Sequence, residues 1–283
     1  MKIKSLLAIL AIFTWVLTAC QSALLEPTAT PVPTNTLAPT IDLNGVSVTF
    51  VSNSGFLITV GDQKVLIDAL FEGSPPDTVQ TLLLNAKPPL DDVDLILATH
   101  NHPDHFSATL VQQYMENNSK AIFMSTKQAA SQLTGFGDRV IIIEDPVVGS
   151  PVNVEVNGIG VEAIYLNHGY PPNDPSEVFN SGYVVTIDPV KFFHSGDIGD
   201  LQDARQYNLA EQKIDLAFIQ HFFLLDDNAR SLIDKVVGAK YLFPIHYKFT
   251  TPAFDEYKIK NYFPDAIIFS SELESWPRSL PTN

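Results

Sequence analysis

The sequence predicts an α+β protein in which two β-sheets pack face to face and helices lie outside them. Short runs of β-branched and aromatic residues recur from residue 46 onwards, separated by Gly, Asn and Asp turn signals. Segments with a helical spacing of apolar residues lie between several of these runs. The second half of the chain is strand-rich like the first, and this pattern is typical of two packed sheets.

The first half begins with three short strands, which turn signals at residues 53–55 and 61–62 join into an antiparallel meander. The strands predicted in this half are 46–51, 56–60, 64–68, 94–98, 121–124 and 139–143, and the helices are 77–85, 107–117 and 126–133. The second half has predicted strands at 152–156, 159–166, 182–187, 190–194, 215–219, 241–245 and 266–269, with a helix at 226–237. No short-period repeat is visible.

The start of the chain is predicted to lie outside the fold. Two lysines precede an apolar stretch at residues 6–17, which is too short to span a bilayer comfortably and is typical of a secretory signal peptide at residues 1–19. The sequence Leu17-Thr18-Ala19-Cys20 is similar to a bacterial lipobox, in which the cysteine is lipidated and becomes the new N-terminus. The alternative is an ordinary signal peptide or a short anchor helix with an incidental cysteine. Both interpretations place the domain outside the cytoplasm.

A spacer and one domain are expected to follow. Residues 20–40 comprise Cys20 and a linker with four prolines, many threonines and no aromatic side chain, so this segment cannot offset its ordering entropy by burial. Residues 41–283, about 240 residues, suit one domain. Several acyl chains on Cys20 would anchor that domain stably to the membrane of the bacterial cell envelope.

Charge and cysteine usage narrow the range of partners. Removal of the signal peptide leaves 15 basic and 32 acidic residues, a net charge of −17. Such a surface repels phosphate backbones, which argues against nucleic acid and favours a small-molecule or lipid-like substrate. Because Cys20 is the single cysteine, the domain has no disulfide, and any metal must be held by nitrogen and oxygen.

A dense cluster of metal-binding side chains follows the strand at 94–98. Within Thr99-His100-Asn101-His102-Pro103-Asp104-His105, three imidazoles and one carboxylate can ligate Zn²⁺ or a similar divalent ion. Alternation lets His100 and His102 point the same way while Asp104 and His105 turn toward a neighbouring point. One loop can therefore serve two adjacent metal positions. The alternative is a polar turn with incidental histidines.

The spacing His-x-His-x-Asp-His resembles the signature of the metallo-β-lactamase superfamily of hydrolases. The other ligands of that family have counterparts here, each after an apolar run: His168, Asp197 in a Gly-Asp turn, and His246. The resemblance extends over roughly residues 41–275 and implies a four-layer αββα sandwich with the metal site at one edge between the sheets.

The resemblance also implies roles for these residues. His100, His102 and His168 would hold one metal, Asp104, His105 and His246 the other, and Asp197 would bridge them. Two divalent ions about 3.5–4 Å apart share a water and lower its pKa; Zn²⁺ is expected, with Mn or Fe as alternatives. Asp104 would also act catalytically by orienting the nucleophile. Asp68 resembles the family's aspartate behind the ligands.

The implied activity is hydrolysis of an ester, lactone or phosphodiester. The β-lactamases of this fold place a cysteine in the second metal site or lack a bridging aspartate, whereas this chain has Asp197. Its ending Pro-Ile-His246-Tyr is more similar to the branch of sugar-phosphate lactonases and phospholipase-D-type phosphodiesterases. The alternative function is a non-catalytic surface lipoprotein that binds a metal or ligand with the same fold. Lost ligands would mark that alternative, and none is lost.

Several further side chains are candidates near the site. His221 either contacts substrate or donates a proton, or is structural; His194 either lies behind the ligands or is packed in the core. Residues 222–225 either receive an acyl group or belong to the core. Tyr247 and Lys248 are expected to line the pocket, and Tyr170-Pro171-Pro172-Asn173 forms either a wall or a surface loop.

Overall fold

Two mixed β-sheets form the centre of the molecule. The computed structural model describes residues 45–72, 77–144, 147–169, 178–247 and 253–277. The first sheet contains β1 (Val46–Ser52), β2 (Gly55–Val60), β3 (Gln63–Ile67), β4 (Leu95–Ala98), β5 (Ile122–Thr126), β6 (Val140–Ile143) and β13 (Ser275–Trp276), in the order β13-β1-β2-β3-β4-β5-β6. The second contains β7 (Val152–Val156), β8 (Ile159–Tyr165), β9 (Ser181–Ile187), β10 (Val190–His194), β11 (Leu216–Gln220) and β12 (Tyr241–Ile245), in the order β12-β11-β10-β9-β8-β7.

Helices pack on the outer faces of the sheets. The α-helices of the described residues are α1 (Asp77–Leu84), α2 (Ala108–Asn117), α3 (Lys127–Ala130), α4 (Asp227–Val236) and α5 (Ala253–Tyr262). Short 3-10 helices occupy Gly137–Arg139, Leu201–Tyr207, Leu209–Gln212 and His221–Leu224. None of the helices in these ranges combines the length and the apolar character that a bilayer crossing requires.

The molecule has four layers, and an apolar cluster lies between each adjacent pair. The cluster between the sheets includes Phe56, Phe218 and Phe243, with the Phe218 ring centroid 4.7 Å from that of Phe56 and 4.9 Å from that of Phe243. A second cluster joins the first sheet to α1 and α2, and a third joins the second sheet to α4 and α5. The predicted α+β sandwich of four layers is therefore confirmed.

Strand direction defines the edge where function is expected. β3, β4, β5 and β6 pair in parallel, as do β10, β11 and β12, so the C-terminal ends within each group meet at one edge. β8 runs in the same direction as β10 because both are antiparallel to β9. A backbone hydrogen bond of 2.8 Å from Ser181 N–H to the Thr99 carbonyl joins the two sheets at this edge.

Most predicted elements are confirmed, and two differ. The helix predicted at 126–133 is one turn, Lys127–Ala130, because Thr126 belongs to β5 and residues 131–132 form a turn. The strand predicted at 266–269 is wrong: these residues follow Pro264 in irregular backbone, and Ile267 N–H donates to the Leu242 carbonyl at 2.8 Å. The short β13 and α5 were not predicted. The signal peptide, Cys20 and the linker lie outside the described residues, so the domain limits at 19, 40 and 41 stay predictions.

Candidate metal centre

The structure brings all seven predicted ligand side chains to one edge of the sheets. Each follows the C-terminal end of a strand: His100, His102, Asp104 and His105 follow β4, His168 follows β8, Asp197 follows β10 and His246 follows β12. They form three overlapping groups whose ligand atoms lie within 4.8 Å of one another: His100 with His102 and His168, Asp104 with His105 and His246, and His100 with His105 and Asp197. The first two groups have the composition expected of two metal positions.

Asp197 lies between these groups. Its Oδ2 is 3.0 Å from His246 Nε2 and 3.3 Å from His105 Nε2 on one side. On the other side it is 3.7 Å from His168 Nε2 and 3.9 Å from His100 Nε2. Its Oδ1 is buried without a hydrogen-bond partner among the described residues, although carboxylate oxygens at buried positions normally have one.

The donor set fits divalent cations. Nε2 atoms face each other at 3.1 Å between His105 and His246 and at 3.2 Å between His100 and His168. Two neutral imidazole nitrogens that both present lone pairs repel each other at such distances unless a proton or cation lies between them. Imidazole nitrogens and carboxylate oxygens are ligands that Zn²⁺ accepts. The residues therefore fit the metal that the sequence predicts.

Asp68 orients the imidazole of His105 from behind. Its Oδ2 lies 2.8 Å from His105 Nδ1, and both side chains are fully buried. A carboxylate accepts, so Nδ1 carries a proton and Nε2 faces the centre. The family resemblance implies this role for Asp68, a carboxylate that hydrogen-bonds a ligating histidine without binding the metal itself.

Thr99 links the Asp68 carboxylate by hydrogen bonds to the other group of ligands. Its backbone N–H donates to Asp68 Oδ1 at 2.7 Å, and its hydroxyl donates to Asp68 Oδ2 at 2.7 Å. The Thr99 hydroxyl then accepts from His100 Nδ1 at 3.0 Å, so the His100 Nε2 lone pair also faces the centre. One buried carboxylate thus orients histidine rings in both groups.

Asn180 holds the turn that carries Asp197. Its Oδ1 accepts from the Asp197 backbone N–H at 3.0 Å, while Nδ2 donates to the Ser195 and Leu166 carbonyls at 3.1 and 3.3 Å. Gly196 has φ +54°, and a Cβ at that position would collide with the Asn180 amide. Asn180 therefore ties the Asp197 turn to the end of the chain segment that leads to His168.

Burial and charge divide the histidines into two states. Burial lowers the pKa of His168 to about 4 and lowers the pKa of His100 and of His102, so these imidazoles are neutral as ligands must be. Burial also opposes charge on His105, but the carboxylates of Asp68 and Asp197 raise its pKa to about 10. Burial would raise the pKa of Asp197, yet the charge of His105 beside it holds that pKa well below its usual range.

The remaining candidates take different places. His194 is fully buried: its Nδ1 accepts from the Gly196 N–H at 3.1 Å, its Nε2 donates to the Ser54 carbonyl at 3.0 Å, and burial lowers its pKa. It is therefore a packed residue that also supports the turn before Asp197. His221 is half-buried at the start of a 3-10 helix, 6.0 Å between ring centroids from Tyr247, and burial lowers its pKa. Its role stays a prediction.

The candidate segments around the site differ in burial. Phe222 is 46% exposed whereas Leu224 is fully buried, so residues 222–225 are shared between the surface and the core. Tyr247 is buried beside His221 and donates to Glu256 at 3.4 Å. Lys248 and residues 170–173 lie outside the described residues.

Sequence reasoning missed Thr99 and Asn180. Thr99 directly precedes the ligand cluster, so its position in the motif is a signal that could have identified it. Asn180 has no local signal, because its partners lie 14 to 17 residues away along the chain.

Comparison with known proteins agrees with this geometry. Residues 47–246 match the family model described as a beta-lactamase superfamily domain. That span is more than half of the chain, and the chain belongs to this superfamily. A UPF0173 metal-dependent hydrolase of Thermococcus onnurineus is 26% identical over 215 residues, which are 73% of this chain and 87% of the relative. A second, of Thermococcus kodakarensis, is 28% identical over 223 residues, with the same two coverages.

Solved structures share the fold. Igni18, a metallo hydrolase from Ignicoccus hospitalis, superposes with a TM-score of 0.58 at 20% identity, covering 83% of this chain and 99% of that one. The metallo-beta-lactamase fold protein YhfI from Bacillus subtilis gives a TM-score of 0.57 at 17% identity, covering 82% and 98%. At these identities the likeness shows the fold alone.

The Thr99 hydroxyl should be needed for metal binding. Thr99→Val keeps the shape but leaves His100 Nδ1 and Asp68 without this hydrogen-bonding partner, so Zn²⁺ affinity should fall roughly 10–100-fold. Thr99→Ser keeps the hydroxyl and should restore most of it. Zn²⁺ titration of metal-free protein against a competing chelator measures this change. Equal affinities for the valine and wild-type proteins would contradict the role given to Thr99.

Proposed function

We propose that this protein is a membrane-anchored, extracytoplasmic hydrolase that uses two divalent metal ions to cleave an ester, lactone or phosphodiester. The coarser class, a metal-dependent hydrolase, is the one that the superfamily and the named relatives share. One observation carries the two-metal proposal: two groups of three ligands lie on either side of the Asp197 carboxylate.

Each residue has a distinct task in this proposal. His100, His102 and His168 hold one ion, Asp104, His105 and His246 hold the other, and Asp197 binds both. When bound, the ions polarise the carbonyl or phosphoryl group and lower the pKa of a shared water. Zn²⁺ suits the nitrogen and oxygen donors, and Mn or Fe would use the same side chains. Asp68, Thr99 and Asn180 keep the ligands in place.

The exposed side of the centre is where substrate would enter. The Asp104 side chain is 42% exposed, whereas that of Asp197 is 12% exposed. Asp104 Oδ2 lies 3.6 Å from His246 Nε2, so the same carboxylate reaches the ligands and the solvent side. In this proposal Asp104 accepts a hydrogen bond from the attacking water and orients it toward the scissile bond.

The surroundings favour a small-molecule or lipid-like substrate over nucleic acid. The net charge of −17 after signal-peptide removal opposes a polyanion. The exposed Phe222 ring beside His221 offers an apolar contact to an acyl chain.

Replacement of single ligands should lower activity strongly. Purified wild-type protein should contain about two metal equivalents and hydrolyse a chromogenic ester or phosphodiester. His102→Ala and Asp104→Asn should each lower kcat/KM at least ~100-fold, because metal binding and nucleophile orientation are lost. Asp92→Asn makes the same carboxylate-to-amide change at an exposed residue paired with Lys120 and should leave the rate unchanged. If both site variants equalled wild type, the protein would be a binding module instead.

His221 should affect turnover without affecting metal content. In His221→Ala, kcat should fall roughly 10–100-fold because a group that contacts the substrate or donates a proton is missing. Metal analysis of the same sample should still give the wild-type stoichiometry. Metal lost in proportion to activity would make His221 structural.

The anchor can be tested at Cys20. Cys20→Ser should prevent lipidation and move the full-length protein from the membrane fraction to the soluble fraction. Fractionation with labelled fatty acid measures both effects. A serine variant that stays in the membrane would show that the apolar N-terminal stretch, and no lipid, holds the protein there.

A further inference from the structure

The turn between β1 and β2 is buried, although hairpin turns usually lie on the surface. Ser52, Asn53 and Ser54 are 4%, 2% and 0% exposed. A Cβ on Gly55 would lie 2.7 Å from the Asp68 carbonyl oxygen, so the turn packs directly against the strand end that carries Asp68. The turn therefore lies beneath the metal-binding edge.

Asn53 reaches from this turn to Asp104. Its Nδ2 donates to the Asp104 carbonyl at 3.2 Å and to Asp104 Oδ2 at 3.4 Å. The same Oδ2 faces Nε2 of His105 at 3.8 Å and of His246 at 3.6 Å. The amide thus donates to the very oxygen that is grouped with the other two ligands.

The left-handed conformation of this turn suits asparagine or glycine, so it does not by itself require the amide side chain. Asn53 has φ 51°, a left-handed conformation that glycine adopts without a side chain. Its Oδ1 is buried with no hydrogen-bond partner among the described residues, which costs free energy that glycine would avoid. The two hydrogen bonds that Asn53 Nδ2 donates to Asp104 offset this cost.

The opposite side of the turn is fixed to the Asp197 loop. The Ser54 carbonyl accepts from His194 Nε2, and His194 Nδ1 accepts from the N–H of Gly196, the residue before Asp197. Two adjacent residues of one buried turn therefore reach two different ligating loops, Asn53 at Asp104 itself and Ser54 through His194.

We propose that Asn53 is a positioning residue that holds Asp104, and that the buried turn keeps Asp104 in a fixed relation to Asp197. This inference rests on the proposed two-metal function. Asn53 itself need not contact the substrate. Loss of its amide should weaken the metal position that uses Asp104 and spare the position formed by His100, His102 and His168.

Zn²⁺ titration of metal-free protein with a competing chelator tests this proposal. Asn53→Gly retains the left-handed backbone and removes the amide. It should bind the first Zn²⁺ equivalent as wild type does and the second roughly 10–100-fold more weakly. Asn157→Gly is the matched control, because Asn157 has φ 52° in the exposed turn between β7 and β8. It should change neither equivalent.

A double-mutant cycle gives a second measurement that needs no metal. If Asn53 acts through Asp104, Asn53→Gly should lower the Tm of metal-free protein less in an Asp104→Ala background than in wild type. Equal Tm losses in both backgrounds would reduce Asn53 to a turn residue and overturn the proposal.

The outcomes of the Zn²⁺ titration distinguish a failure of this inference from a failure of the proposed two-metal function. If wild-type protein binds two Zn²⁺ equivalents and Asn53→Gly binds the second with unchanged affinity, the role of Asn53 alone is overturned. Wild-type protein that binds fewer than two equivalents would overturn both proposals. Equal weakening of both equivalents would show a general structural effect and would also overturn the positioning role.

Discussion

The carboxylate of Asp197, buried among four imidazoles, is the constraint on which this edge of the molecule depends. A carboxylate in such surroundings is costly unless positive charge compensates it. In the protein without metal that compensation comes from His105, whose pKa is raised to about 10 while that of Asp197 is held low. A divalent cation would supply the same charge and satisfy the buried Oδ1 as well. The need for compensation makes the site electrostatically suited to cations.

Asp68 and Thr99, which hydrogen-bond the ligating histidines, restrict the orientations that the imidazole rings can adopt. Asp68 accepts hydrogen bonds from His105 and from both donors of Thr99, and Thr99 in turn accepts from His100. Because all of these groups are buried, each missing partner would leave a costly unsatisfied polar atom. The network therefore holds the His100 and His105 rings with their Nε2 atoms toward the centre.

Much of the fold and the ligand set could be predicted from the sequence because both depend on local patterns. Apolar runs give the strands, and His-x-His-x-Asp-His places four ligands on one loop. The irregular segment at 266–269 has an apolar run without the pairing of a strand, and Ser275–Trp276 is too short for any pattern to indicate. Asn53 and Asn180 escaped prediction for another reason. Asn53 meets Asp104 across 51 residues of chain, so only the packed sheets bring them together.

The measurement that tests the central claim most directly is anomalous X-ray diffraction from crystals of the Zn²⁺-loaded protein. Two zinc peaks should flank the Asp197 carboxylate, one bound by His100, His102 and His168 and the other by Asp104, His105 and His246. A single peak, or zinc bound away from Asp197, would contradict the account of two metal positions joined by one carboxylate.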